Sequence, residues 1–219
     1  MQTSTELTAF SALGAALLSL IVGLYLFYLW RKQNVSMYTD LPFLFGITFI
    51  AMFLNMLIQS LPGLGLVEAT LLLFRIRSLV IFGSAFPLLA VILIIWFPQI
   101  QHHHNKILLV LAIYWVLITL IGTSESLIMI LLVPILLVLI IGLVATFFVT
   151  WRTNRLKEVR SELMMMSLIL SIISQVGGVS LRAMELGWIA NLVNAIATIL
   201  AALAFANPWY RRKSHTDQT

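Results

Sequence analysis

Seven long apolar segments, separated by short polar or basic stretches, divide the sequence. A helix needs about 20 predominantly apolar residues to cross the hydrocarbon core of a bilayer. The pattern therefore predicts an all-α integral membrane protein, a seven-transmembrane-helix bundle. The predicted spans are residues 7–30, 41–61, 68–97, 107–121, 127–150, 163–181 and 187–205.

The composition excludes a soluble domain. Of the 219 residues, 61% are hydrophobic and 10% are charged, whereas soluble domains carry about 25% charged residues. Residues 1–213 are predicted to form a single transmembrane domain, and residues 214–219 a short polar cytoplasmic tail. The first segment is too long, and has too few basic residues before it, for a cleaved signal peptide, so we expect it to be retained as a span.

The basic residues predict the orientation. Ten of the 13 Lys and Arg residues fall on one side of the predicted bundle. Short loops with excess positive charge face the cytoplasm, so we expect the N-terminus outside, the C-terminus in the cytoplasm and a multi-pass protein of the cell membrane. The same clustering favours membrane topology over nucleic-acid binding. The ten are Arg31, Lys32, Lys106, Arg152, Arg155, Lys157, Arg160, Arg211, Arg212 and Lys213.

The sequence has no pattern typical of an enzyme. It contains no cysteine, and it has no carboxylate pair, HExxH, GxSxG or phosphate-binding loop. Every lysine lies in a predicted loop or the tail, so none is placed in the last span to bind retinal. The histidines at 102–104 are interpreted as a solvated loop and not as a metal site. We expect no enzymatic activity, no metal and no cofactor.

Two arginines near the outer end of span three are the most informative charged residues. Arg77 lies 19 residues before Trp96, about 29 Å along a helix, which places it near the outer edge of the hydrocarbon layer. Arg75 is rotated from it by about 200°. We expect Arg77 to point into the bundle and contact Asn55, Gln59, Glu185 or an anionic ligand, and Arg75 to reach toward the headgroups.

Other polar residues inside the predicted spans form the remaining candidates. Two interpretations stay open for them: hydrogen bonds that pack helices together, or a polar pocket enclosed by spans two, three, six and seven. For the outer arginines two interpretations also stay open: snorkelling to the headgroups or ion pairs with Glu68 and Glu185, or a functional role as a basic site for an anionic or polar ligand or as a charged lock between spans three and six. The candidate ligand-binding residues are Arg77, Asn55, Gln59, Gln175, Arg182, Glu185, Asn191 and Asn194.

Small residues recur at helical spacing in three spans, and this predicts close helix packing. Span one carries Ser11, Ala15, Ser19 and Gly23, which favours packing within the bundle or against a second copy. Spans six and seven carry similar stripes, whereas span five is nearly pure Leu, Ile and Val and is predicted to face lipid. The stripes of spans six and seven are Ser167, Ser171, Ser174 and Gly178, and Ala190, Asn194, Ala197, Ala201 and Ala204.

Span three, with the sequence Leu73-Phe-Arg-Ile-Arg-Ser-Leu79 followed by Phe82-Gly83 and Phe86-Pro-Leu-Leu89, resembles the N-terminal seven-helix sensor region of prokaryotic membrane histidine kinases. That family tends to carry an outer arginine in span three, matched here by Arg77, and a proline with leucines about three turns later. A kinase or cyclase module follows the last span in the family, whereas this sequence ends at Thr219. The resemblance therefore implies a sensor that signals through a separate protein.

Three functional hypotheses follow. The first is a receptor-like or sensor-like protein without its own output domain, the second is a non-catalytic accessory subunit of a larger membrane complex, and the third is a small-solute transporter. The absence of acidic residues from the predicted bundle centre disfavours a carrier driven by protons or sodium. We expect contact with membrane lipids and a protein partner in the membrane or the cytoplasm. Whether the protein forms a homo-oligomer stays open.

Overall fold

The structure, a computed structural model, describes residues 2–33, 37–38, 40–153 and 159–206, without the side chains of residues 2–5, 176, 179, 180, 182 and 183. Within these ranges the chain is helical and has no strand. A short 3₁₀ helix, Pro98–His103, joins the third and fourth α-helices. The α-helices are α1 Gln2–Arg31, α2 Leu41–Gly63, α3 Leu71–Trp96, α4 His104–Ile121, α5 Glu125–Thr153, α6 Ser161–Ala183 and α7 Gly187–Phe205.

Six helical segments in the described ranges are long and apolar enough to cross a bilayer. They comprise α1, α2, α3, α5, α7 and the segment Pro98–Ile121, which contains α4. In α6 the described apolar stretch, Ser161–Gln175, is shorter. The predictions of an all-helical fold and of a multi-pass membrane protein are confirmed. The basic end at residues 207–213, the tail, and the basic residues of segment 154–158 lie outside the described residues.

The helices form a ring in which most elements pack against their neighbours in the sequence. α1 packs against α2 and α7, α7 against α6, and α6 against α5. α3 packs against α2, α4 and α5 and so closes the ring. α4 packs against α3 and α5 and lies outside the ring. We refer to the end where α1, α3, α5 and α7 begin as the N-terminal end, and to the other as the C-terminal end.

Apolar side chains fill the C-terminal half of the ring. The Phe45 ring of α2 lies 6.1 Å from that of Phe147 on α5 and 5.3 Å from that of Phe205 on α7, so aromatic contacts join three helices. Leu26 and Met164 complete this core from α1 and α6. In the N-terminal half the buried apolar cluster between α1 and α2 contains only Ala15, Ala16 and Met56. The polar residues Asn55, Gln59, Arg77, Asn191 and Asn194 lie in this N-terminal half.

The structure refines the prediction for span five. One face of α5, including Leu132 and Leu139, is buried, whereas Val138 on the opposite face is 62% exposed. α4 is the more peripheral helix, because its buried residues are limited to His104, Trp115 and Thr119. Polar content did not reveal this difference, since Leu and Ile suit a lipid-facing surface and a protein core equally well.

The small-residue stripes pack helices inside the ring. A Cβ on Gly23 would lie 2.9 Å from the Ile50 side chain of α2, which explains a glycine there. On α6, Ser167 and Ser174 donate hydrogen bonds of 2.7 Å each to the carbonyls of Ala197 and Ala190 on α7. The packing interpretation is confirmed for these serines and for the α1 stripe.

Candidate functional site

Arg77 is held by two amide side chains of the neighbouring helix. Its Nε donates to Asn55 Oδ1 at 2.8 Å, and its Nη2 donates to Gln59 Oε1 at 2.9 Å. Asn55 and Gln59 lie one turn apart on α2, so they present both oxygens on one face. Arg77 comes six residues after Leu71, where α3 begins, about 9 Å along the helix axis. The predicted contacts of Arg77 with Asn55 and Gln59 are present, and we call these three residues the arginine clamp.

Arg75 has a different partner from the one expected. Its Nη2 donates a 2.9 Å hydrogen bond to the carbonyl of Gly122, the residue that ends α4. A cation at a helix C-terminus compensates free carbonyl groups and the negative end of the helix dipole. The expectation that Arg75 extends to the headgroups is wrong, because the carbonyl at the end of α4 offers a nearer acceptor. Arg75 thus fastens α3 to α4.

Sequence reasoning missed a second set of polar contacts between α3 and α4. The Ser78 and Thr119 hydroxyls share a 3.1 Å hydrogen bond, and Trp115 Nε1 donates to the Ser78 carbonyl at 3.1 Å. All three residues are buried between α3 and α4. Isolated Ser, Thr and Trp residues in apolar spans were the only sequence signal, and such residues usually bond to the backbone of a helix.

The two asparagines of α7 differ in their surroundings. Asn191 Nδ2 donates to the Thr8 carbonyl at 3.0 Å and to Ser11 Oγ at 2.9 Å, and so joins α7 to α1. Asn194 is 3% exposed. Its Nδ2 approaches Met56 Sδ on α2 at 3.6 Å, and its Oδ1 is buried without a hydrogen-bond partner among the described residues.

The remaining candidates lie in the second half of α6, toward the N-terminal end of the bundle, and in the turn after this helix. Gln175 is exposed. Arg182 lies in the last turns of α6, but its side chain is outside the described part of the structure. Glu185 is exposed and has φ 61°, while the next residue, Leu186, closes the turn by donating to the Leu181 carbonyl at 2.7 Å. Such a helix-ending turn favours glycine, so the backbone at Glu185 is strained.

Histidine and acidic side chains do not form a metal-binding cluster in the described ranges. One of the three consecutive histidines is partly structural, because His104 is buried and its Nε2 lies 2.9 Å from the Phe97 carbonyl. His102 and His103 are exposed. The chain matches no protein-family model, no curated protein and no solved structure.

Proposed function

We propose that the protein is a receptor-like or sensor-like membrane protein with seven transmembrane helices. It recognises an anionic or polar ligand from outside the cell and passes the signal to a separate protein partner, in the membrane or at its cytoplasmic face. This proposal has three supports. They are the arginine clamp, the filled C-terminal half of the ring, and the similarity of span three to the sensor region of prokaryotic histidine kinases.

The proposed topology places the N-terminal end of the bundle outside. Arg31, Lys32, Lys106 and Arg152 lie at the C-terminal ends of α1 and α5 or near the turn between α3 and α4. The positive-inside rule assigns that end to the cytoplasm. The arginine clamp would then lie in the outer half of the membrane.

Cysteine labelling tests this topology, because the chain has no native cysteine. Thr123→Cys and Met184→Cys should react with a membrane-impermeant maleimide on intact cells, since both residues are exposed at the N-terminal end. Gln101→Cys and Thr153→Cys should react only after permeabilisation. The opposite pattern would reverse the orientation, and equal labelling of residues 153 and 184 would show that α6 does not cross the membrane.

The arginine clamp is the observation that carries the proposed function. A half-buried guanidinium can also bind an anionic oxygen, because opposite charges attract more strongly in a partly buried site than in water. Asn55 and Gln59 keep the guanidinium oriented without adding negative charge, so they would not repel an anion. Arg75, by contrast, is placed to fasten two helices.

A receptor suits the bundle better than a transporter does. Phe45, Phe147 and Phe205 meet across the C-terminal half of the ring, so a solute at the clamp has packed aromatic rings between it and the cytoplasm. A ligand can therefore be recognised on one side without passing through. The signal would be carried by movement of the helices.

Binding and flux measurements test the proposal together. The protein is purified into nanodiscs, and its thermal unfolding midpoint is measured with acetate, hexanoate and inorganic phosphate. At least one anion should raise the midpoint of the wild type, and Arg77→Leu should remove that rise. In liposomes, uptake of the bound anion should equal that of protein-free vesicles. Flux above this level would support a transporter, and a midpoint unchanged by all three anions would count against the receptor.

An accessory subunit is the second candidate, and the position of α4 favours it. This helix lies outside the ring, and its outer face carries large exposed apolar side chains that another membrane protein can cover. These side chains are Leu109, Val110, Ile113, Leu117, Leu120 and Ile121. Co-purification with other membrane proteins in a fixed ratio, together with no anion binding, would establish this role over that of a receptor.

A further inference from the structure

Asn194 carries a buried hydrogen-bond acceptor that the surrounding helices do not use. Its Oδ1 receives no hydrogen bond from the described residues, and its Nδ2 has only the thioether of Met56 at 3.6 Å. Turning the amide by 180° would not help, because a thioether has no proton to donate. Buried polar groups nearly always have a partner, and exceptions indicate a functional role or a bound molecule.

Asn191 shows that this arrangement is particular to Asn194. It lies one turn earlier on the same helix, and both hydrogens of its amide nitrogen are donated to α1. Asn191 therefore contributes to helix packing. Asn194 makes no comparable contact, and a small apolar side chain there would pack against Met56 equally well. Its polar group needs a different explanation.

Asn194 lies close to the arginine clamp through two consecutive residues of α2. Asn55 contacts Arg77, and the next residue, Met56, contacts Asn194. Arg77 lies six residues after the start of α3 and Asn194 seven residues after the start of α7, about 9 and 10 Å along parallel helices, so the two side chains start at similar depths. The Met56 side chain packs with the small residues Ala15 and Ala16 of α1. Methionine is flexible and adapts to different neighbours, so this part of the bundle can reshape around a ligand.

We propose that Asn194 is a second recognition residue of the ligand site at Arg77. The ligand is an amphiphilic anion: its anionic group binds Arg77, an apolar stretch lies along Met56, and a hydroxyl or N–H group donates to Asn194 Oδ1. This inference rests on the proposed function and adds the donor that the ligand must carry. Together, Arg77 and Asn194 make the site selective for molecules with a polar group at both ends.

Matched pairs of carboxylates test the inference. The probes are 4-hydroxybutyrate, 6-hydroxyhexanoate and 8-hydroxyoctanoate, each compared with the unsubstituted acid of the same chain length. Titration of the thermal unfolding midpoint in nanodiscs gives the affinity for each probe. For at least one chain length, the hydroxy acid should bind roughly tenfold more tightly, because its hydroxyl satisfies a buried acceptor that the plain acid leaves unpaired.

Two variants on α7 provide the controls. Asn194→Leu should bind both members of each pair equally, and this variant also corrects for partitioning of the longer acids into lipid. Asn191→Leu removes an amide from the same helix and should unfold at a lower temperature, since it loses two hydrogen bonds to α1. It should nevertheless keep the tenfold preference of the wild type for the hydroxy acid.

Each alternative outcome overturns a defined step. If the wild type binds both members of every pair equally, the inference is wrong and Asn194 Oδ1 is not part of the ligand site. A preference that survives Asn194→Leu also rules out this residue as the origin of selectivity. If no acid of either series and no inorganic phosphate raises the midpoint, the anion site at Arg77 is itself absent, and the inference fails with the proposed function. If phosphate alone raises the midpoint, the inference fails and the proposed function stands.

Discussion

Arg77→Leu is expected to lower the free energy of unfolding by about 2 kcal/mol. The change removes two hydrogen bonds, each contributing about 0.6–1.7 kcal/mol inside a membrane. It also leaves Asn55 Oδ1 and Gln59 Oε1 unpaired, at about 1 kcal/mol each or more. Removing a charge from the bilayer offsets part of this loss. The offset is about 1 kcal/mol, because Arg77 lies about 9 Å from the start of α3 and the cost of a charge, about 2.5–3.5 kcal/mol at the bilayer centre, falls toward the interface.

A double-mutant cycle shows whether the arginine clamp is the cause. The free energy of unfolding is measured by equilibrium unfolding in mixed micelles for Arg77→Leu, Asn55→Leu and the double variant. A coupling energy of about 1 kcal/mol is expected if the two side chains interact directly. Arg75→Leu is the matched control and should cost less than 1 kcal/mol, since it loses one hydrogen bond and also removes a buried Nε that has no partner among the described residues.

A coupling energy of zero would contradict the contact between Arg77 and Asn55. A variant Arg77→Leu that is more stable than the wild type would show that the cost of burying the guanidinium outweighs its hydrogen bonds. Arg77→Lys adds a further comparison, because lysine keeps the charge but lacks the planar fork that reaches two oxygens. It should recover only part of the lost stability.

The sequence predicted the helices well because their limits follow local rules. Residues 187–205 were predicted as span seven and form α7, and α2 begins at Leu41 as predicted. The arginine clamp was also predictable. Asn55 and Gln59 are four residues apart, and the distance from Trp96 sets the depth of Arg77. Periodicity and helix rise are enough to predict such a contact when the two helices are joined by a short turn.

The lateral order of the helices could not be predicted in the same way. Lipid tails are as apolar as leucine, so hydropathy does not distinguish a side chain that faces lipid from one that faces another helix. For this reason the sequence did not show that α4, and not α5, is the most peripheral helix. The partner of Asn191 depends on the same order, since Thr8 is distant in the sequence and becomes a neighbour only when α7 packs against α1 and the ring closes.

Phe45→Ala is expected to cause the largest loss of stability, about 3 kcal/mol. Phe45 is 2% exposed, and its ring contacts Phe147 of α5 and Phe205 of α7. Truncating a buried phenylalanine typically costs 3–5 kcal/mol. The lower value applies here because the transfer of apolar groups out of water contributes little inside a bilayer. The loss therefore comes from the cavity and from the broken aromatic contacts, each worth about 0.5–1.5 kcal/mol.

Phe10→Ala is the matched control, because it makes the same chemical change at a residue of α1 that is 62% exposed. It should alter the free energy of unfolding by less than about 0.5 kcal/mol. Equilibrium unfolding in mixed micelles measures both variants. If they cost the same, the C-terminal half of the ring is not a packed core, and the argument that it separates the arginine clamp from the cytoplasm fails with it. A large difference shows that Phe45 lies in a packed core that joins α2, α5 and α7.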